Sequence, residues 1–191
     1  LMKAAIVPST PKSGRAALLS SALVRSDGEG ALYTEVPARR GIEKGDLVSF
    51  DTDMVGPYGY CADISRSFVE GHRFNNEQKR LHSLSVENIE FNQNLIKAGI
   101  SFNEFAEKSW KLPENCYDNH YPCMIHGIGL CDEWPFIAFP NQDFSNGDFD
   151  SVFEENMTIT IESYIGEVGG KEGAKLEDHF LVTKNGLKLL S

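Results

Sequence analysis

Three aspartates lie within one short stretch, residues 45–66, at a spacing that could hold a cation. Asp51 and Asp53 are two residues apart, so they are expected to share a face of one extended strand. Asp63 follows the turn sequence G-P-Y-G at 56–59, which predicts that it returns on the partner strand, within side-chain reach. Three carboxylates this close repel one another unless a cation lies between them. The stretch is therefore either a solvated acidic hairpin or one side of a metal site.

Three further potential ligands occur later in the chain. His126 begins an H-G-I-G sequence, whose glycines allow a close approach of the backbone. Glu162 lies among isoleucines in the segment 157–165, which alternates as a strand does, and a carboxylate is costly to bury there unless it is paired or binds a metal. Glu177 lies in the last predicted strand pair. Each residue taken alone is equally compatible with a structural role, as a core imidazole or a surface acid.

Caps, turns and periodicity predict the elements that position these groups. Asn75 or Asn76 can cap a helix that ends at Gly99 and carries apolar residues at helical spacing. Ser101 begins a capping box of sequence S-x-x-E, which predicts a second helix from 102 to about 110. Strands are expected at 157–165, 176–182 and 187–190, the last two joined through Asn185-Gly186.

Length and composition predict one mixed α/β domain. The chain has 191 residues, 41% hydrophobic and 24% charged, enough for one sizeable core. Its formal net charge of -10 argues against nucleic acid or an anionic membrane as the main partner, and no apolar run approaches the length of a membrane span. The four cysteines form no C-x-x-C pair, which favours reduced thiols and a cytoplasmic protein. Because the chain begins on Leu1 without an initiator Met, we expect it to be a fragment whose N-terminus is missing.

Four separated motifs, in this order, resemble the pita-bread metallopeptidase (M24) superfamily, which includes methionine and Xaa-Pro aminopeptidases, prolidase and creatinase. They are F-D-T-D with D-I-S-R-S, then H-G-I-G-L, I-E-S and K-L-E-D-H-F-L-V-T. The resemblance runs from about Gly41 to Thr183 and implies an α+β pita-bread fold, a curved antiparallel sheet with helices packed outside. We expect one N-terminally truncated catalytic domain over 1–191, in which 1–40 are the remnant of a preceding region and 41–184 form the metal-binding core.

Several positions depart from the pattern of the peptidases. Where these usually have glycine two residues after the first metal aspartate, this chain has Asp53, and its two hairpin aspartates stand one residue further apart. Asp132 occupies the place of a histidine that the peptidases carry before a glutamate. No histidine precedes His72, so their substrate-binding histidine ahead of the first metal aspartate has no counterpart. Losing imidazoles that assist peptide binding and amide cleavage weakens the peptidase interpretation.

These departures fit one branch, the dimethylsulfoniopropionate (DMSP) lyases of the DddP type, which the chain resembles in F-D-T-D and in H-G-I-G-L-C-D-E-W-P. The resemblance implies a metal-dependent lyase that splits DMSP into acrylate and dimethyl sulfide by β-elimination, with Asp132 as the catalytic base and Tyr121 as a substrate contact in the catalytic site. Trp134 is a further candidate contact, because a sulfonium cation prefers aromatic faces. Six metal ligands are implied: Asp51, Asp53, Asp63, His126, Glu162 and Glu177.

The implied cofactor is a dinuclear centre of divalent metal ions. Iron is expected, and manganese, zinc or cobalt are alternatives that oxygen-rich ligation with one imidazole also suits. The expected partners are the small-molecule substrate and a second copy of the chain in a homodimer. Two other functions stay open at this point. An Xaa-Pro aminopeptidase or prolidase-like metallopeptidase would share the metal ligands, and a non-catalytic peptide-binding module would keep only the scaffold.

Overall fold

The computed structural model describes residues 24–25, 44–71, 73–140 and 151–191. The prediction for residues 1–40 lies outside these ranges, apart from one short strand. The strands are β1 (Val24–Arg25), β2 (Leu47–Phe50), β3 (Asp53–Val55), β4 (Cys61–Asp63), β5 (Arg66–Val69), β6 (Cys123–Gly127), β7 (Phe136–Ala138), β8 (Thr158–Gly166), β9 (Gly173–Thr183) and β10 (Gly186–Leu189). The helices are α1 (Asn76–Gln93) and α2 (Phe102–Lys108), with 3-10 turns at Pro57–Gly59 and Glu114–Asn119.

Antiparallel strands build three sheets in the described part of the chain. The largest has the order β10-β9-β8-β6-β7, and two smaller sheets have the orders β1-β2-β5 and β3-β4. Helix α1 packs against β8 and β9, so helix and sheet enclose the core between them. No helix within the described ranges is long and apolar enough to cross a membrane. This is the α+β arrangement predicted from the sequence.

Helix α1 begins at the predicted cap but ends earlier than predicted. The side chains and backbones of Asn75 and Gln78 exchange hydrogen bonds of 2.8 and 2.9 Å, a complete capping box. The prediction that the helix runs to Gly99 is wrong, because it ends at Gln93. The side-chain amide of Asn94 donates to a carbonyl of the last turn at 2.6 Å and closes it.

Helix α2 also begins as predicted and stops short. The Ser101 hydroxyl accepts from the backbone N–H of Glu104 at 3.0 Å. The helix ends at Lys108, two residues before the predicted end. The backbone N–H of Trp110 donates to the side chain of Asn92 in α1 at 2.9 Å, instead of extending the helix. Tertiary contact with α1 therefore decides where α2 stops.

Strands β8 and β9 divide their side chains between the core and the candidate site. They pair over their length, and Glu162 lies directly opposite Glu177. Because side chains alternate along a strand, one face carries these two glutamates and Lys175, and the other is mainly apolar, with Ser163 and Asp178 as its polar residues. The apolar face packs into a core with residues of the helices and of the 151–157 segment: Ile159, Ile161, Leu176, Phe180, Val182, Phe102, Phe105 and Phe153.

The predicted aspartate hairpin is present but bent. Strand β2 pairs with β5, and β3 pairs with β4. The two pairings keep the same register, but residues 51–52 and 64–65 between them belong to no strand. At the break, the Thr52 hydroxyl accepts from the backbone N–H of Ile64 at 3.2 Å and approaches its carbonyl at 3.3 Å, replacing ladder bonds. The prediction that Asp51 and Asp53 lie on one strand is therefore wrong: Asp51 follows the end of β2 and is buried, and Asp53 begins β3 and is exposed.

Candidate metal centre

Asp63, His126 and Glu177 form the buried middle of the candidate site. They come from β4, β6 and β9, and each offers a ligand atom within 4.8 Å of the other two. His126 Nε2 lies 3.1 Å from Glu177 Oε1 and 3.7 Å from Asp63 Oδ2. Its Nδ1 lies 3.0 Å from the Gly127 carbonyl, which accepts the Nδ1 proton and leaves Nε2 to face the carboxylates. Metal-bound imidazoles in proteins are oriented in this way.

Asp51 and Glu162 lie on the inner side of the centre, and a buried ammonium joins them. Lys175 Nζ is 2.5 Å from Glu162 Oε1 and also pairs with Asp51 Oδ2. The Ser65 hydroxyl bridges Asp51 and Glu177, at 3.1 Å from Glu177 Oε2. All five side chains are almost fully buried. The inner half of the site is therefore one connected network of charged and polar groups.

Asp53 and the 130–135 loop form the outer side of the centre. Asp53 is the cross-strand partner of Asp63, and one oxygen of Glu133 lies within 4.8 Å of ligand atoms from both. Asp132 precedes Glu133, and its Oδ1 accepts from the Glu133 backbone N–H at 3.2 Å. Desolvation raises the pKa of Asp53, a hydrogen bond with Asp63 lowers it, and the charges of Asp51 and Asp132 raise it. The charge of Asp132 therefore acts on the outer ligand Asp53.

The two predicted aromatic contacts are placed differently. The ring of Tyr121 lies over the buried ammonium, with its centroid 4.9 Å from Lys175 Nζ. Trp134 is 54% exposed, in the loop that carries Asp132. The six predicted ligands, Asp132 and Tyr121 are thus brought to one region, and Trp134 stands at its edge. Their roles in binding and catalysis stay predictions.

The donor set fits a metal centre. Among the described residues, the buried atoms Asp63 Oδ1 and Glu162 Oε2 have no hydrogen-bond partner, although a buried carboxylate oxygen is costly to leave unpaired. Desolvation and the charge of Glu177 raise the pKa of Asp63 to about 11. Desolvation also raises the pKa of Glu162 to about 8, in spite of Lys175. Both carboxyls thus need either a proton or a further cation, and divalent ions would supply the latter.

We expect the metal affinity of the protein to increase with pH. Burial lowers the pKa of His126, but the hydrogen bond and charge of Glu177 outweigh it and raise the value to about 9. At neutral pH His126, Glu162 and Asp63 therefore hold protons that a metal must displace. Calorimetry in two buffers of different ionisation enthalpy should show proton release on metal binding. Affinity that does not change between pH 6 and 9 would contradict the shifts.

The same pKa shifts should make the metal-free protein less stable as pH rises, although its metal affinity increases. A carboxyl whose folded pKa is raised binds its proton more tightly when folded, so its contribution is complete below the unfolded value. For Asp63 and Glu162 the unfolded values are 3.8 and 4.5. The stability of the metal-free protein should therefore decrease as pH rises above these values, up to about 8 for Glu162 and about 11 for Asp63, while added metal reverses the trend. Thermal unfolding with and without a chelator measures both.

Removal of the buried ammonium should destabilise the metal-free protein. Lys175→Met leaves the buried Asp51 carboxylate without its countercharge and the Glu162 carboxyl without its partner, and breaking a buried pair costs about 3 kcal/mol or more. Denaturant unfolding of the metal-free variant should show this loss. Lys184→Met is the matched control, because Lys184 forms only an exposed ion pair, 3.6 Å from Glu155. Equal stability of the two variants would count against the role of Lys175.

Sequence analysis missed three side chains of this region: Ser65, Lys175 and Glu133. Lys175 lies just before the predicted strand 176–182, but the observed strand β9 begins at Gly173, so Lys175, two residues before Glu177, shares its face. Ser65 lies two residues after Asp63, within the D-I-S-R-S motif. Glu133 lies within the H-G-I-G-L-C-D-E-W-P motif, but nothing in the sequence marked it as a possible ligand. Its approach to Asp53 depends on the path of the loop.

Buried carboxylates and one imidazole on antiparallel strands are typical of a metalloenzyme, and the comparisons place the chain in such a class. It belongs to metallopeptidase family M24, because the sequence model of that family matches residues 12–184. The structure resembles prolidase from Pyrococcus furiosus, with a TM-score of 0.69 and 26% identity over 89% of this chain and 48% of that one. It also resembles an Xaa-Pro dipeptidase from Bacillus anthracis, with a TM-score of 0.71 and 27% identity over 90% and 46%. The predicted pita-bread fold is confirmed.

Two kinds of curated relative match the sequence. The dimethylsulfoniopropionate lyase DddP of Roseovarius nubinhibens is 38% identical over 154 residues, 80% of this chain and 34% of the lyase. The Xaa-Pro dipeptidase of Pyrococcus horikoshii is 31% identical over 174 residues, 88% of this chain and 46% of the dipeptidase. The chain therefore spans about a third of the length of the lyase. The predicted resemblance to DddP-type lyases is confirmed.

Proposed function

We propose that this chain carries the catalytic site of a metal-dependent lyase that splits DMSP into acrylate and dimethyl sulfide. One observation carries the proposal: Asp132, where the peptidase pattern has a histidine, accepts a hydrogen bond from the backbone of Glu133, and a Glu133 oxygen lies within 4.8 Å of ligand atoms of Asp53 and Asp63. The higher identity to DddP-type lyases than to Xaa-Pro dipeptidases supports it. We further propose that residues 41–184 form the metal-binding core of one domain.

The residues that would hold the metal are the six predicted from the sequence. They are Asp51, Asp53, Asp63, His126, Glu162 and Glu177. We propose a dinuclear divalent centre, with iron as the first candidate, since one imidazole among carboxylates also suits manganese, zinc or cobalt. When bound, the metal would supply positive charge that stabilises the substrate carboxylate as negative charge develops next to it.

The residues of the chain then carry out the proton transfer. The Asp132 carboxylate removes a proton from the carbon next to the substrate carboxylate. That electron pair forms the new carbon-carbon double bond, the carbon-sulfur bond breaks, and dimethyl sulfide leaves with its electron pair. The sulfonium group is a cation without hydrogen-bond donors, and the rings of Tyr121 and Trp134 offer it aromatic faces. Asp132 ends the reaction protonated and returns its proton to water.

Headspace gas chromatography tests the proposal. The purified protein, loaded with ferrous iron or manganese, is given DMSP, and release of dimethyl sulfide is measured against a chelated control. Sulfide release that depends on metal is expected. A metal-loaded protein that releases no sulfide from DMSP would reject the lyase function but not the fold.

A metallopeptidase of the Xaa-Pro type is the second candidate. The 31% identity to an Xaa-Pro dipeptidase over 88% of the chain favours it, as does the shared ligand set. Hydrolysis of Xaa-Pro dipeptides by the same preparation separates the two functions. Peptide turnover without sulfide release would establish the peptidase. A protein that binds no metal would instead favour a non-catalytic peptide-binding module.

We also propose that the protein is a homodimer in the cytoplasm. The β3–β4 hairpin exposes a set of large apolar side chains, and Leu130 adjoins them, because the Cys61 N–H donates to the neighbouring Gly129 carbonyl at 2.6 Å. The set consists of Met54, Val55, Tyr58 and Tyr60. A second copy of the chain would remove this apolar surface from water.

The four cysteines are free thiols, which supports a reducing compartment. Light scattering at two concentrations measures the mass of the particle.

A further inference from the structure

Glu133 belongs to a second group of converging ligand atoms, next to the buried one. One oxygen each from Asp53, Asp63 and Glu133 lie within 4.8 Å of one another. Acidic groups also cluster on surfaces without binding anything. What distinguishes this cluster is Asp63, which is 3% exposed and whose Oδ1 has no hydrogen-bond partner among the described residues. A buried, unpaired carboxylate oxygen inside the cluster indicates that a cation belongs there.

The loop that presents Glu133 is fixed at both ends. The Cys61 N–H donates to the Gly129 carbonyl at 2.6 Å, which joins the start of the loop to β4. The Gly127 N–H donates to the Pro135 carbonyl at 2.8 Å, which joins its end to β6. No side chain would fit at Gly127, because a Cβ there would lie 2.0 Å from the Trp134 carbonyl oxygen. The loop therefore lies directly against the strands that carry His126 and Asp63.

The backbone of Glu133 is in the left-handed region, with φ at 64°. For a residue with a Cβ this conformation costs about 1 kcal/mol, and such residues concentrate at functional sites. In this conformation one oxygen of the Glu133 carboxylate lies within 4.8 Å of ligand atoms of Asp53 and Asp63. Desolvation raises the pKa of this carboxyl, His126 lowers it, and Asp132 and Glu177 raise it. Charged groups from both the inner and the outer side of the centre therefore act on this carboxylate.

We propose that Glu133 is a ligand of the metal ion held by Asp53 and Asp63, and so a seventh side chain of the centre. The inference rests on the metal-dependent function proposed above. It assigns the two ions different surroundings. The inner ion has buried ligands only, and the outer ion is held by two exposed carboxylates and one buried one. The outer ion should therefore bind more weakly and exchange faster.

Metal binding to the whole chain tests the proposal without an activity assay. Protein depleted of metal by chelation is dialysed against a series of manganese(II) concentrations, and bound manganese is counted by plasma mass spectrometry. The unchanged protein should bind two ions. Glu133→Gln should bind the first with unchanged affinity and the second about 10- to 100-fold more weakly. Glu155→Gln is the matched control at an exposed glutamate and should bind both ions normally.

A second pair of variants separates ligation from backbone conformation. Asp and Asn tolerate the left-handed region equally, but only Asp keeps a carboxylate. Glu133→Asp should restore part of the affinity for the second ion, and Glu133→Asn should not. Near-ultraviolet circular dichroism of the metal-free forms checks that all variants keep the fold.

The possible outcomes decide between the two proposals. Wild-type affinity for both ions in Glu133→Gln, or equal affinity of the Asp and Asn variants, overturns the assignment of Glu133 and leaves the lyase function standing. Two ions bound without sulfide release rejects the lyase function and leaves the assignment of Glu133 standing. If the unchanged protein binds no manganese, the assignment of Glu133 is overturned, and the sulfide assay with ferrous iron decides the lyase function separately.

Discussion

Asp132→Asn should abolish the release of dimethyl sulfide and leave the metal content unchanged. The amide keeps the size of the carboxylate and can still accept the 3.2 Å hydrogen bond from the Glu133 N–H, but it cannot take a proton. Loss of a general base lowers turnover by about 10²- to 10⁴-fold. Headspace chromatography and plasma mass spectrometry on the same sample measure both quantities.

The control for this variant is Asp118→Asn, an exposed aspartate in the 3-10 turn at Glu114–Asn119. It should retain full activity and full metal content. Normal sulfide release by Asp132→Asn would refute the assignment of the base. Loss of metal together with activity would show instead that Asp132 helps to hold an ion.

Glu162→Ala should lose metal and thermal stability together. Glu162 lies on the central strand β8, is 3% exposed, and has one oxygen on Lys175 and one without a hydrogen-bond partner among the described residues. Its removal takes away a ligand. At a free metal concentration 100-fold above Kd, loss of binding removes about 2.7 kcal/mol of stabilisation. Metal analysis after dialysis and thermal unfolding with saturating metal should show both losses.

Two comparisons make the Glu162 result specific. Glu154→Ala changes an exposed glutamate just before the same strand and should affect neither quantity. Glu162→Gln keeps the shape of the side chain, so it should lose metal affinity with a smaller effect on the metal-free fold. Retention of the full metal content in both Glu162 variants would show that this residue is not a ligand.

The sequence predicted the elements of the site where local rules determine them. The cap candidate at Asn75 or Asn76, the G-P-Y-G turn and the alternation around Glu162 each act within a few residues, and each predicted an element that the structure contains. The cross-strand placement of Asp53 opposite Asp63 follows from that turn. These features can be predicted from the sequence because each depends on only a few consecutive residues.

The remaining features depend on contacts between distant segments. The ladder breaks at Thr52 because its hydroxyl bonds to the backbone of Ile64 across the hairpin. Helix α2 stops where Trp110 bonds to α1. Glu133 reaches Asp53 only through a loop fixed to two strands. Periodicity and turn composition report on neighbours along the chain and contain none of these contacts.

The ammonium of Lys175 between Asp51 and Glu162 bears on how the protein matures. A small metal-dependent fold such as a zinc finger stays unfolded until its ion arrives, because its ligands have no other partner. Here the chain supplies its own cation to two of the proposed ligands, and its core is formed by apolar packing between helices and sheet. We therefore expect the protein to fold before its metal ion binds. The ion that a cell makes available at that later step then determines which metal the protein carries.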